Sequence, residues 1–170
     1  MTVFETPRLL LRQFTPDDVD DLAAMYADSV VMSFLGGPRS YETTQQHIER
    51  IAQNYQEYGF GLWAVIHKGD RRLMGRCGLI PQTIEGQGEV EIGYLLARAY
   101  WGQGLATEAA AAIRDYGFST VGCDRLISLI DPHNLASQKV ALRVGLTYEK
   151  DVILADKPIR VYAIDKPAAS

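Results

Sequence analysis

Little in this chain points to metal or thiol chemistry. Its two cysteines, Cys77 and Cys123, stand far apart without a CxxC pair, so a metal or redox centre is not expected and both read as small buried apolar residues. The three histidines, His47, His67 and His133, form no usable cluster; His47 and His67 read as surface or turn residues. Basic residues are not in surplus either. A net charge of −4 across 170 residues argues against a nucleic-acid partner but leaves room for a local basic pocket that holds phosphates. No apolar run approaches the ~20 residues of a membrane span, and Met1–Pro7 lacks the basic-then-apolar order of a signal peptide. Linkers, repeats and low-complexity tracts are missing as well. One soluble, cytoplasmic domain spanning 1–170 is therefore expected, with 47% hydrophobic residues to build its core.

What is present alternates between strand and helix patterns. Arg8 to Phe14 reads as a Leu-rich strand, and Thr15-Pro16-Asp17-Asp18 as a helix start with an N-cap, a first-position proline and early acids. Val19, Leu22, Ala23 and Tyr26 continue that helix. A second helix is expected from about Glu42 to Tyr58, with Ile48, Ile51, Ala52 and Tyr55 on one face. Leu62–His67 and Leu73–Ile80 flank the turn Lys68-Gly69-Asp70-Arg71 as a hairpin, and Glu89–Leu96 is a further strand. A helix carrying Leu105, Ala109, Ala112, Ile113 and Tyr116 on one face follows. Then come a strand at Arg125–Ile130, a helix at about Leu135–Val144 ended by Gly145, and strands at Val152–Ala155 and Arg160–Ile164. Hairpin-linked strands mixed with helices suit an α/β sheet of mixed direction better than a fully parallel doubly wound one.

The most informative segment is Arg98-Ala99-Tyr100-Trp101-Gly102-Gln103-Gly104-Leu105-Ala106-Thr107-Glu108-Ala109. It joins a glycine turn to a helix start, where free N–H groups and the positive dipole end suit a diphosphate. A tight structural connection would use the same glycines. Two dinucleotide motifs fail here. Leu105-Ala106 replaces the Lys-Ser/Thr pair of a Walker A loop, and the third small residue of a Rossmann fingerprint is missing at its required place.

The segment resembles the acyl-CoA-binding stretch of the GNAT N-acetyltransferase superfamily, patterned Gln/Arg-x-x-Gly-x-Gly/Ala, with Gly104 and Ala106 in its last two places. Trp101 stands where that superfamily has Gln or Arg, and the Tyr-Trp-Gly-x-Gly-x-Ala-Thr-Glu-Ala form resembles the RimJ/RimL-like ribosomal-protein N-terminal acetyltransferase branch. Glu5–Arg12, Glu91–Leu96 and Asn134–Leu146 resemble that branch's first strand, central strand and Asn-x-x-Ser helix, in family order. The resemblance implies a central mixed, mostly antiparallel twisted sheet flanked by helices.

It also implies acetyl-CoA as cosubstrate, with no metal. The main chain of Gln103, Gly104, Leu105, Ala106 and Thr107 would hold its pyrophosphate. Leu95, Leu96 and Asn134 would hold its pantetheine, with Ser137 beside the sulfur. Glu108 reads as a first-turn residue complementing the helix dipole. An amine of pKa ~10 needs deprotonation before attack; Glu91 or a water chain is the base. Superfamily members place a tyrosine acid where this chain has Ala141, which leaves Ser137 as the candidate for protonating the thiolate. Glu89 reads as part of a solvated strand face. The implied reaction is direct attack by a primary amine in a ternary complex. The acceptor is a protein N-terminus or a small molecule such as a polyamine, amino acid or antibiotic, and a homodimer is the candidate assembly. A coenzyme-binding module without turnover is the reading from another class. Phe34, Tyr41, Tyr55, Tyr58 and Phe60 line the acceptor pocket or fill core.

Overall fold

Alternating apolar residues and short turns assemble the N-terminal two-thirds of the sheet. In the computed structural model, which describes residues 2–169, β1 (Thr2–Glu5) and β2 (Leu9–Arg12) pair as a hairpin. Met1 and Ser170, the ends of the expected 1–170 domain, lie outside the described residues. Pro16–Asp18 form a single 3-10 turn before α1 (Val19–Tyr26), and Asp18 accepts the Thr15 N–H at 2.8 Å. The helix α2 (Tyr41–Tyr58) starts at Ser40, whose hydroxyl accepts the Thr43 N–H, a cap worth about 1 kcal/mol. Ala52 is exposed, against the expected face; Thr44 joins Ile48 and Ile51 in the buried stripe instead.

Next come β3 (Leu62–His67), β4 (Leu73–Ile84) and β5 (Gln87–Leu96). β4 and β5 run further than their apolar pattern suggests. Glu85 and Gly86 both take positive φ, 50° and 79°, which closes a two-residue hairpin whose twist matches its strands. Then α3 (Leu105–Tyr116) widens into a π-type turn over Gly117–Val121. Ala110 is buried in α3, where Ala112 was expected and is only half-buried. β6 (Arg125–Ile130), α4 (Leu135–Arg143), β7 (Thr147–Leu154) and β8 (Lys157–Asp165) complete the chain.

The strands form one mixed sheet in the order β1-β2-β3-β4-β5-β6-β8-β7, flanked by the four α-helices. Neighbours are antiparallel except β5 and β6, which run parallel and meet at one register pair, Glu91 opposite Ile127. Leu105, Ala109 and Ile113 of α3 pack with Leu79, Ile92 and Leu126 on one face. On the other, Leu22, Met25 and Tyr26 of α1 pack with Ile48 of α2 and against Leu95. The side chains of β5 alternate between these layers.

Candidate active site

The glycine turn leaves main-chain donors open at the start of α3. Gly102 and Gly104 both sit at φ 76°, a conformation that would strain a residue with a Cβ by ~1–2 kcal/mol. Gly104 is the N-cap of α3, and the first helical hydrogen bond runs from Glu108 N–H to its carbonyl. The N–H groups of Leu105, Ala106 and Thr107 therefore lack intrahelical acceptors. Trp101 fixes the turn to the sheet by donating from Nε1 to the Leu96 carbonyl at 2.9 Å.

Arg8 and Glu108, invisible to the sequence reading as partners, secure this turn from β2. Glu108 accepts from Thr6 Oγ1, Arg8 N–H and Arg8 Nε, at 2.6, 2.9 and 2.7 Å. Arg8 Nη1 also donates to the Gln103 carbonyl at 2.8 Å. Partial burial pushes the Glu108 carboxyl up, but the hydrogen bonds from Thr6 and Arg8 outweigh it and hold the pKa below the usual range. Glu108 is thus a latch between distant segments as well as a dipole partner.

Beyond Ile92, β5 and β6 part. Ser128 Oγ donates to the Ile92 carbonyl at 2.9 Å, next to the lone ladder pair. The Leu95 carbonyl lies against Gly75 of β4, while the Leu96 carbonyl points to Trp101. By strand alternation, the main chain of Tyr94 and Leu96 faces the gap. At the closed end Glu89 is ion-paired with Arg125 at 3.1 Å, and Arg125 binds Glu149 at 2.7 Å; Glu89 is not simply solvated.

Asn134, Ser137 and Tyr94 meet at the mouth of the gap. The Asn134 side chain accepts the Ser137 N–H at 3.2 Å and caps α4. Ser137 Oγ donates to Tyr94 Oη at 3.1 Å, and Tyr94 Oη donates to the Ser137 carbonyl at 2.7 Å. Burial raises the Tyr94 pKa above the ordinary phenol value. Ala141 is fully buried. A tyrosine thus stands beside Ser137, supplied by β5 rather than α4. Its only sequence signal was its place in the Glu91–Leu96 strand, on the face opposite Glu91.

Glu91 lies on the α1–α2 face and accepts from Gln82 Nε2 at 2.9 Å. Burial raises its pKa above the usual range, against hydrogen bonds from Gln82 and the Leu129 N–H and the charge of Arg76. A carboxylate shifted upward is a better proton acceptor near neutrality than a free one.

The same face carries a cationic cluster that sequence reading missed. Arg76 of β4, 7% exposed, donates from Nε to Tyr26 Oη at 2.6 Å, and Tyr26 Oη meets His47 Nδ1 at 3.0 Å. The guanidiniums of Arg39 and Arg76 stand 4.9 and 5.7 Å from the Tyr26 ring centre. His47 is not a surface residue: burial, with Arg76, Arg39 and Arg50 nearby, drives its pKa down to about 3. It is uncharged, and with Tyr26 Oη already accepting from Arg76 Nε, the tautomer protonated at Nε2 lets Tyr26 donate to its Nδ1. The error has a simple origin, since the polar stripe of α2 hides which of its residues turns inward. Of the expected pocket aromatics, Tyr55 and Phe60 pack into core and Phe34, Tyr41 and Tyr58 are exposed, with Tyr58 and Phe60 also lining a groove at the far end of β5.

Elsewhere the fold offers less. A groove of about 800 Å³ runs along Pro81–Thr83, Gln87–Val90 and Cys123–Arg125, at the far end of β5 from the glycine turn. Lys139, Arg143 and His133 are exposed. Among the described residues no group of three or more His, Cys, Asp or Glu is arranged for a metal, and no helix is long and apolar enough to cross a membrane.

Residues 8–147 match the family model described as an acetyltransferase (GNAT) domain. The chain is 38% identical over 162 residues to YkkB of Bacillus subtilis (strain 168), covering 95% of this chain and 94% of that protein. It is similar to an acetyltransferase crystal structure from Agrobacterium tumefaciens, with TM-score 0.85, 28% identity and coverage of 98% and 95% of the two chains. It also shares its fold with RimL, a ribosomal α-N-protein acetyltransferase solved in complex with coenzyme A, at TM-score 0.80, 21% identity and coverage of 97% and 98%.

Proposed function

This chain belongs to the acetyltransferase (GNAT) family and is an N-acetyltransferase, and from that premise we propose that it acetylates a primary α-amine of a cytoplasmic acceptor, by direct attack on acetyl-CoA within a ternary complex. One observation carries the donor side: the β5–β6 split opens onto a helix whose N-cap is a left-handed glycine. The N–H groups from Gln103 to Thr107 take the pyrophosphate. Pantetheine lies in the split, where Leu96 and Tyr94 offer main-chain groups and Asn134 its amide; Leu95 shapes the far face. The catalytic domain is the whole 1–170 span.

Glu91, directly or through water, takes a proton from the ammonium form of the acceptor. The amine nitrogen attacks the thioester carbonyl, a main-chain N–H near Leu95 steadies the oxyanion, and the C–S bond breaks. Ser137, held by Tyr94, relays to the sulfur the second proton that the acylated nitrogen gives up, and the Glu91 proton passes to solvent, leaving the acetamide and free coenzyme A. The turn Tyr100-Trp101-Gly102-Gln103-Gly104 supports the RimJ/RimL-like branch, in which the α-amine belongs to a protein N-terminus. A small-molecule α-amine is favoured by a separate observation, the buried Arg76 beside the Glu91 face.

Acetyl-CoA with an amine panel, read by released thiol, tests the proposal. Turnover of at least one amine is expected in the wild type, with acetyl-CoA binding lost in Gly104→Val. Tight binding without thiol release across peptides, amino acids and polyamines would return the coenzyme-binding module to favour.

A further inference from the structure

We propose that the cluster of Arg76, Arg39 and Tyr26 recognises the carboxylate of the acceptor, so that the substrate is a free amino carboxylate of amino-acid size. The inference rests on the acetyl-transfer reading above and narrows its acceptor.

No carboxylate is ion-paired with this cluster among the described residues. The chain as a whole is acidic, at −4, yet Arg39, Arg50 and Arg76 take part in none of the ion pairs among the described residues. Arg76 is the sharpest case, because it is 7% exposed and its single side-chain hydrogen bond uses Nε. Its terminal Nη1 and Nη2 groups have no hydrogen-bond acceptor among the described residues. Those terminal nitrogens still touch solvent, so a ligand can reach them without displacing a protein partner. The terminal fork fits a carboxylate in two parallel hydrogen bonds.

Position turns this charge into a specificity device. Gly93 has no side chain, and Arg76 Nη1 lies 3.8 Å from where its Cβ would be. That brings the guanidinium onto β5 one pleat from Glu91, and two residues along a strand span about 7 Å. Arg76 is also close enough to pull on the Glu91 carboxyl. An amine meeting Glu91 and a carboxylate meeting Arg76 can belong to one short molecule. Tyr26 and uncharged His47 hold Arg76 by Nε and leave the fork free. Half-buried Arg39 adds a second positive charge over the same ring. Bond changes are those of the transfer itself: nitrogen gains the acetyl carbon, sulfur loses it, and the amine proton ends on the coenzyme thiol.

The test is a matched panel of α-amino acids, their carboxamides, their decarboxylated amines and short peptides, with acetyl-CoA binding measured in the same preparations. We expect kcat/KM to favour at least one amino acid over its carboxamide by about 100-fold, from two charge-assisted hydrogen bonds. Arg76→Gln should collapse that ratio to within a few-fold, mainly through KM, and Arg76→Lys should restore part of it. Arg39→Gln, at a half-buried position that folding tolerates better, should reduce it about tenfold. Equal turnover of acids and carboxamides, turnover of peptides alone, or a ratio unchanged in both Arg39→Gln and Arg76→Gln would overturn the inference while acetyl-CoA binding still stood. Loss of acetyl-CoA binding in the wild type would overturn the transfer reading together with it.

Discussion

Along β5, even-numbered side chains face α3 and α4 whereas odd-numbered ones face α1 and α2, and the two faces are furnished by different means. On the α3–α4 side the proposed donor contacts are mostly backbone: N–H groups at the start of α3 and the open edge of β5. On the α1–α2 side the chemistry is carried by side chains, Glu91, Gln82, Arg76, Tyr26, His47 and Arg39. Backbone recognition needs glycines and a helix end in the right order, so it leaves a continuous mark in the sequence. Side-chain recognition gathers residues from two helices, a loop and two strands, so it leaves scattered single letters. A donor shared across a family suits the first arrangement. An acceptor that differs among relatives suits the second.

The comparison breaks most decisively at Gly104. Gly104→Val places a β-branched residue at φ 76°, and acetyl-CoA affinity by calorimetry should fall 100-fold or more, with strain of ~1–3 kcal/mol visible in the melting temperature. Unchanged affinity would remove main-chain recognition from the donor side. Glu91→Gln comes next, with kcat about 100-fold lower. Glu91 accepts a proton only when ionised, and burial raises its pKa; the wild-type rate should climb with pH through that raised value, and this limb should vanish in the variant. Stability runs the other way. The contribution of a carboxyl with a raised folded pKa is present below its unfolded value and lost as pH rises through the folded one.

Ser137→Ala should lower kcat roughly tenfold with little change in the KM for acetyl-CoA, since a thiolate leaves with less help than an alkoxide. A rate equal to wild type would confine Ser137 to capping and packing. The smallest effect is expected at the latch. Glu108→Gln should cost about 1 kcal/mol, because Arg8 is half in solvent, which is about 2–4 °C for a chain of this size. It should raise the KM for acetyl-CoA a few-fold and leave kcat alone. Glu108 is held below its usual pKa, so its contribution is complete above ~4.3 and fades as pH falls through the lowered folded value.

The same division explains what could be read in advance. The mixed sheet, the strands Leu62–His67 and Arg125–Ile130 and the glycine-capped helix all follow from patterns within a dozen residues. The hairpin closed by Ala155 and Asp156, at φ 48° and 63°, was missed in extent because neither residue is the glycine that marks such turns. Arg8 and Glu108 are 100 residues apart, and no local period links them. Tyr94 lay in plain view within the central strand, but alternation alone does not say which helix residue it will meet. His47 was misplaced because α2 is polar on most sides, and only the packed Tyr26 shows where its ring turns.

The single ladder pair between β5 and β6 has a mechanical consequence. β4 and β5 share ten register pairs and β6 and β8 share six, whereas the seam between those blocks has one, stapled by Ser128 and by the Arg125–Glu89 ion pair. The sheet is two stiff plates, five strands and three, joined along a narrow hinge at one end. A seam with one register pair resists bending less than the ladders on either side of it. A donor bound as proposed would bridge the two plates and splint them, so its binding should slow amide exchange on both β5 and β6.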